Sequence, residues 1–319
     1  MMRLLALATI CVAAYAQLPS GSLWRDPGDV TRLDFGGSVG APVSKPKSPL
    51  TFIREDMSGT QPKVFVKDAN GVTWNVKFGY EARPESFCWR MVRACGYFAE
   101  PSFFLASGKI EGCQPLKRKS SNLREDGSFT DARFQYRDPD LKFLENKNWL
   151  FDAPPYRGTK ELSGLKILIM LFSNWDNKDA RVGVGGPNTA IFELKKPYGT
   201  RVIYAFTDWG SGLGSDLSPT RRSDWSCKPF LEQSAHWVER SHNGSLVFRY
   251  DGNIEEGFRT GIQPAHGEWF MTYLGAITDA QLHAGLLASG ANEGDATCFT
   301  KALRERIEDL RTAVKTGTN

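Results

Sequence analysis

Apolar and polar positions along the chain change period once, and that change divides it. Between 63 and 78 they alternate two by two. Lys63-Val64-Phe65-Val66-Lys67 and Val72-Thr73-Trp74-Asn75-Val76-Lys77-Phe78 read as strands, and Asp68-Ala69-Asn70-Gly71 between them is a hairpin signal. Pro84 then stands where a helix begins, and a helical pattern from Glu85 to Cys95 stops at Gly96. Phe103-Phe104-Leu105 predicts one more strand, while residues 113–140, with Lys117-Arg118-Lys119, read as solvated loop. From Thr159 the spacing becomes helical. Leu162, Leu165 and the unbroken run 167–172 predict a helix apolar on nearly every side, hence buried, ending at Ser173-Asn174-Trp175-Asp176. Two short strands follow at 189–192 and 202–206. The capping box Thr278-Asp279-Ala280-Gln281 opens a helix that Gly290 closes. Phe299, Leu303, Ile307, Leu310 and Val314 mark the buried face of a last one.

The expected class is α+β, a small strand-rich half before a larger helical half. The boundaries are a Pro/Gly-rich lead-in at 17–50, a sheet with one helix at 51–112, a connecting region at 113–158 and a helical unit at 159–319. With 41% hydrophobic and 12% aromatic residues the chain can bury a real core. A net charge of +4 over 319 residues is too thin for a dedicated nucleic-acid binder. Residues 1–16 have the basic start, apolar stretch and Ala14-Tyr15-Ala16 ending of a secretion signal, so the expected location is periplasmic or extracellular. No later apolar run approaches the roughly 20 residues that span a bilayer. Five cysteines remain beyond that signal, an odd number, so at least one thiol stays free. On one helix Cys88 and Cys95 lie about 10.5 Å apart, beyond the reach of about 7 Å for a disulfide, so they do not pair.

Polar residues with chemical potential fall at the ends of these elements. Ser58-Gly59-Thr60 forms a turn before the first strand of the hairpin, Lys77 closes the second, and Glu85 opens the next helix, with Glu81 as a rival partner for the lysine. Asp176 and Lys178 follow the buried helix, Asn188 precedes a short strand, and Asp208-Trp209-Gly210 ends another. Singly, each has an ordinary structural use: an edge charge, a helix-dipole carboxylate, a turn. Their order is more specific. Moving a phosphoryl group from ATP requires a turn over the phosphates, a strand lysine held by a helix glutamate, an aspartate at the acceptor hydroxyl, and hard oxygen ligands for a divalent cation.

The ordered motifs SGT…VKFG…E…NWDNKD…N…DWG resemble the atypical protein-kinase-like families: HipA-type kinases, type II phosphatidylinositol 4-kinases and secretory-pathway kinases. The resemblance covers roughly residues 50–215. It implies a two-lobed kinase-like fold with a small antiparallel-sheet lobe, a mainly helical lobe and a nucleotide cleft between them. It further implies ATP and Mg²⁺ (or Mn²⁺) as cofactors and a hydroxyl acceptor on a protein, lipid or sugar. By position it assigns Ser58, Gly59, Thr60, Lys77 and Glu85 to the nucleotide, Asn188 and Asp208 to the metal, and Asp176 and Lys178 to catalysis.

A catalytically silent, kinase-shaped binding module of the cell envelope is the competing expectation. The chain has no G-x-S-x-G elbow and no H-E-x-x-H helix, which sets aside two hydrolase groups. Asp176 and Asp208 as a glycosidase pair would leave Lys77 and Asn188 without a use. Nine tryptophans, Trp225, Trp237 and Trp269 among them, keep a carbohydrate-binding reading open, although most are expected in the core.

Overall fold

The computed structural model describes residues 18–59, 61–145, 147–152, 154–181, 186–215, 224–255 and 257–315. The expected secretion signal and Thr60 lie outside them. The architecture is α+β. Strands β1 (Leu50–Asp56), β2 (Lys63–Lys67) and β3 (Thr73–Phe78) precede helix α1 (Ala82–Ala94), and β4 (Ser102–Glu111) and β5 (Ser128–Tyr136) follow it. These strands close a barrel in the order β1-β2-β3-β5-β4. Its seam is a short parallel pairing, Leu50 with Ile110 and Thr51 with Glu111, so the sheet is not purely antiparallel as expected. Val64, Val66, Trp74, Val76 and Phe134 fill the interior with essentially no exposure, one face of each strand by period-two alternation. The hairpin forms as read, with Gly71 in the left-handed region (φ 77°) and Asp68 accepting from the backbone of Asn70 and Val72.

Strand β5 falls inside the stretch read as connecting region, and it is the central partner of both β3 and β4. Two features hid it. Its buried residues Phe129, Ala132 and Phe134 lose strict alternation at Asp131, whose φ is 46°. Its outward positions include Arg133, whose charge is used by the site below. The lead-in also departs from expectation. Ser22 bridges Ile203, Trp24 bridges Tyr97, and Leu23, Val30, Phe35 and Val39 are buried. Gln281 Nε2 donates to the carbonyls of Val30 and Leu33, each at 2.9 Å, fastening this strap to the helical half.

A short β6 (Leu141–Phe143) precedes helix α2 (Lys160–Leu171), and β7 (Thr189–Lys196) with β8 (Gly199–Phe206) completes a three-stranded sheet with it. The rest comprises α3 (Cys227–Glu232), β9 (Val238–Arg240), β10 (Leu246–Phe248), α4 (Pro264–Leu274), α5 (Asp279–Ala288) and α6 (Glu293–Lys315). Helix α2 is capped by Thr159, and its run from Ile167 to Leu171 is wholly buried. The capping box of Thr278 and Gln281 is present at the start of α5. All five expected core positions of α6 are buried. Among the described residues no helix is long and apolar enough to cross a membrane.

Cys227 and Cys298 form a disulfide between α3 and α6, while Cys88, Cys95 and Cys113 are free thiols. Burial pushes the Cys88 and Cys95 thiols well up, so they act as core packing rather than as nucleophiles. The disulfide spans 71 residues of sequence; for a loop of that length, chain entropy predicts a contribution of about 4 kcal/mol. Replacing both cysteines by serine is therefore expected to cost a comparable free energy in urea unfolding, lowering the midpoint and steepening the slope as the unlinked denatured chain exposes more surface. An unchanged midpoint would show that the cross-link adds nothing.

Candidate active site

Sheet register builds the site from its cationic side. Lys63 on β2 lies opposite Lys77 on β3, and Lys77 lies opposite Arg133 on β5. Paired residues share a face, so three cations stand in one row across the outside of the barrel. Like charges directly opposite destabilise a sheet, and the row holds only because carboxylates meet it from three directions. Lys77 Nζ donates to both Glu81 and Glu85, the residues before and inside the first turns of α1. Arg133 Nε pairs with the other oxygen of Glu85 at 2.6 Å. Lys63 lies 4.0 Å from Asp56, whose carboxylate also accepts from Asn75 at 2.8 Å. The rivalry between Glu81 and Glu85 for the lysine resolves as a shared bond.

Asp208 brings the third direction. Oxygens of Glu81, Glu85 and Asp208 all lie within 4.8 Å of one another, a grouping fit to hold a cation. Gly210 makes that approach possible. A Cβ there would stand 3.0 Å from Glu81 Oε2 and 3.0 Å from Glu85 Oε1, so a side chain at 210 would push the Asp208 turn away from α1. Trp209 packs, as expected, with its ring 4.8 Å from that of Phe206 and its Nε1 on the Phe206 carbonyl.

Electrostatics follow from this crowding. Burial alone presses the Lys77 ammonium toward neutrality, but Glu85, Asp208 and Glu81 outweigh it and hold its pKa above the ordinary lysine value. Burial also pushes Asp208 up, yet Lys77, the Gly210 N–H, Arg133 and Lys178 bring it below the usual carboxylate range. Glu81 goes the other way: burial, Asp208 and Glu85 raise it against the pull of Lys77. Asp224 is raised to about 7 by burial and by the carboxylates of Glu81, Asp208 and Asp176, over an opposing hydrogen bond from Trp175. The site carries surplus negative charge.

The segment after α2 is held without freedom. Ser173 takes φ 51°, turning the chain out of the helix. Buried Asn174 donates to the Asp208 carbonyl at 2.8 Å and accepts from the Asp176 N–H at 3.2 Å. Buried Asn177 exchanges two hydrogen bonds with the backbone of Ile254. Asp176 is oriented on both oxygens, by Asn253 Nδ2 at 2.6 Å and by Lys178 Nζ at 3.1 Å. Arg306, fully buried on α6, donates to the Leu171 carbonyl and Ser173 Oγ, each at 2.9 Å, and fixes where this segment starts.

Three further expected site residues are held by hydrogen bonds of their own. Asn188, expected as a metal ligand, donates its Nδ2 to the Asp176 carbonyl at 2.6 Å. The turn of Ser58 and Gly59 (φ 60°) is tied down by Asp56, Lys63 Nζ and Arg118 Nη1. Gln61, just past it, reaches Glu81 at 3.3 Å. Sequence reasoning missed Lys63, Arg133 and Asp224. A register count across the hairpin finds Lys63; Arg133 and Asp224 carry no local signal.

No protein-family profile matches this chain. No curated relative matches it either. Among solved structures, the crystal structure of the Golgi casein kinase with Mn and ADP bound resembles it at 11% identity and a TM-score of 0.41, covering 85% of this chain and 74% of that one. A second structure of the Golgi casein kinase gives 11% and 0.42, with 86% and 73% covered.

Asp224 supplies the pH signature of the site. Its pKa is higher in the folded than in the unfolded chain, so folding takes up a proton and stability falls as pH rises from about 4 to about 7. Asp224→Asn is expected to raise the thermal midpoint by several degrees at pH 8 and to change it little at pH 4. Equal midpoint shifts at both pH values would contradict the assignment.

Proposed function

We propose that this chain is a two-lobed, kinase-like phosphotransferase that moves the γ-phosphate of ATP to a hydroxyl acceptor. The barrel with α1 acts as the small lobe in this reading, and the cleft runs between Lys77 and Asp208. One observation carries it: a buried strand lysine shared by two helix glutamates, with an aspartate from the far side completing a group of three carboxylates. A structural salt bridge needs one carboxylate per cation and gains nothing from extra buried charge. Here Glu81, Glu85 and Asp208 face Lys77 and Arg133, and the raised pKa values of Glu81 and Asp224 express the imbalance. That donor set, all carboxylate oxygens, suits Mg²⁺ or Mn²⁺.

Asp208 and Glu81 are the residues that would hold the cation, with Asn188 Oδ1 assisting, leaving Glu85 to Lys77 and Arg133. When bound, a divalent ion neutralises charge on the phosphate oxygens. Lys77, kept charged throughout the neutral range, contacts the phosphates, and the backbone of Ser58 and Gly59 covers them. Asp176 receives or orients the acceptor hydroxyl, because Asn253 and Lys178 fix both its oxygens. Lys178 steadies that carboxylate and lies close enough to Asp208 to lower its pKa. The Cys227–Cys298 disulfide supports an exported location, since disulfides persist in oxidising compartments. Trp237 is fully buried, and Trp225 and Trp269 pack partly buried against the core, which weighs against a tryptophan-lined carbohydrate face.

Turnover of γ-labelled ATP with Mg²⁺ or Mn²⁺ tests the reading. Asp176→Ala is expected to lose at least 100-fold in rate while keeping affinity for Mg-ADP. Asp208→Asn is expected to lose both. Nucleotide binding without turnover in the wild-type protein would select the silent binding module, and absence of both would overturn the proposal.

A further inference from the structure

Away from the carboxylate cluster, the lead-in strap and the last turn of α1 enclose a second cavity, of about 480 Å³. It exists because the strap crosses the end of that helix at close range. Trp24 Nε1 donates to the Cys95 carbonyl at 2.8 Å and Arg25 N to the Gly96 carbonyl at 2.9 Å. A Cβ at Gly96 (φ 87°) would stand 2.3 Å from Trp24 Nε1, so only glycine admits the crossing. Leu23, Tyr97 and Ile203 give the cavity apolar walls, and Arg25, Arg93, Lys196 and Arg201 also line it.

Those four cations have no ion pair among the described residues. The carboxylates of the same lining are engaged elsewhere. Glu100 pairs with Arg137 at 3.0 Å, while Asp26 and Asp138 accept from the backbone of Gly28 and Asp140 in local turns. Arg93 uses Nη2 on the Gly40 carbonyl at 3.2 Å, but its Nε is buried with no partner. A guanidinium N–H removed from water and left unpaired is costly. Burial and the neighbouring Arg25 both push the Arg93 pKa down.

We propose that this cavity binds an organic anion with an apolar body. A carboxylate, sulfate or phosphate head meets Arg25 and Arg93, and an aliphatic or aromatic body lies against Leu23, Tyr97 and Ile203. The volume falls within the range of small-molecule sites, which pair apolar walls with a few placed charges, and planar guanidinium groups suit an oxyanion. The proposal stands independently of phosphoryl transfer, because none of these residues belongs to the carboxylate cluster.

Titration calorimetry with four probes tests it: 2-naphthoate, decanoate, 2-naphthalenemethanol as the neutral counterpart, and inorganic phosphate as the head alone. Saturable binding of at least one of the two acids at one site per chain is expected, at least about tenfold tighter than the alcohol or phosphate. Arg93→Gln and Arg25→Gln are each expected to weaken it about tenfold or more. Arg201→Gln, on the exposed end of β8, is expected to weaken it to a smaller extent. Should Arg93→Gln fail to fold, the two exposed arginines still decide the matter. Failure of both acids to bind at millimolar concentration, equal binding of the alcohol, or affinity unchanged by Arg25→Gln and Arg201→Gln would overturn the proposal.

Discussion

Three cations in register across β2, β3 and β5 are the constraint around which the candidate site is arranged. Left to themselves, Lys63, Lys77 and Arg133 would repel along one sheet face. Asp56 from β1, Glu81 and Glu85 at the start of α1 and Asp208 from the turn after β8 answer them, so three separate elements converge on one row. Removing one partner of such a buried set costs about 3–5 kcal/mol, whereas the intact set contributes little net stability.

Convergence of this kind needs close backbone approach and rigid delivery. Gly210 supplies the first by leaving room for two glutamates where a side chain would stand. The buried Arg306 supplies the second. Its guanidinium lies 3.9 Å from the Phe230 ring centroid and donates to the end of α2, to Ser173 and to Ser234, linking α6 to the segment bearing Asp176. From there Asn174 donates to the Asp208 carbonyl, which ties the two aspartate-bearing segments directly to each other. A long amphipathic helix distant in sequence thereby sets the position of Asp176 relative to Asp208.

Local chemistry was legible in the sequence, and non-local pairing was not. The hairpin at 63–78, the buried α2, the capping box at Thr278 and the face of α6 each follow from spacing within a dozen residues, and each stands where read. Lys77 facing Glu81 and Glu85 was also legible, because strand end and helix start are adjacent. By contrast, β5 resisted because Asp131 breaks its alternation and its outward arginine answers a carboxylate 48 positions earlier. Barrel closure through β1 and β4 and the strap of residues 18–49 are likewise fixed by contacts between distant segments. The bond from the Asn188 amide nitrogen to the Asp176 carbonyl is also one that no spacing rule reveals.

If the surplus carboxylate charge beside Lys77 serves the proposed function, the site takes up a divalent cation and a phosphate-bearing partner together. Electron paramagnetic resonance titration of Mn²⁺, with and without ADP, measures this most directly, because the free ion signal falls as the ion is bound. One Mn²⁺ per chain is expected, bound more tightly when ADP is present, with the same coupling seen in reverse for ADP affinity. Glu81→Gln and Asp208→Asn should each weaken it about tenfold or more. A Mn²⁺ signal unchanged by the wild-type protein with ADP present, or binding indifferent to both substitutions, would contradict the account.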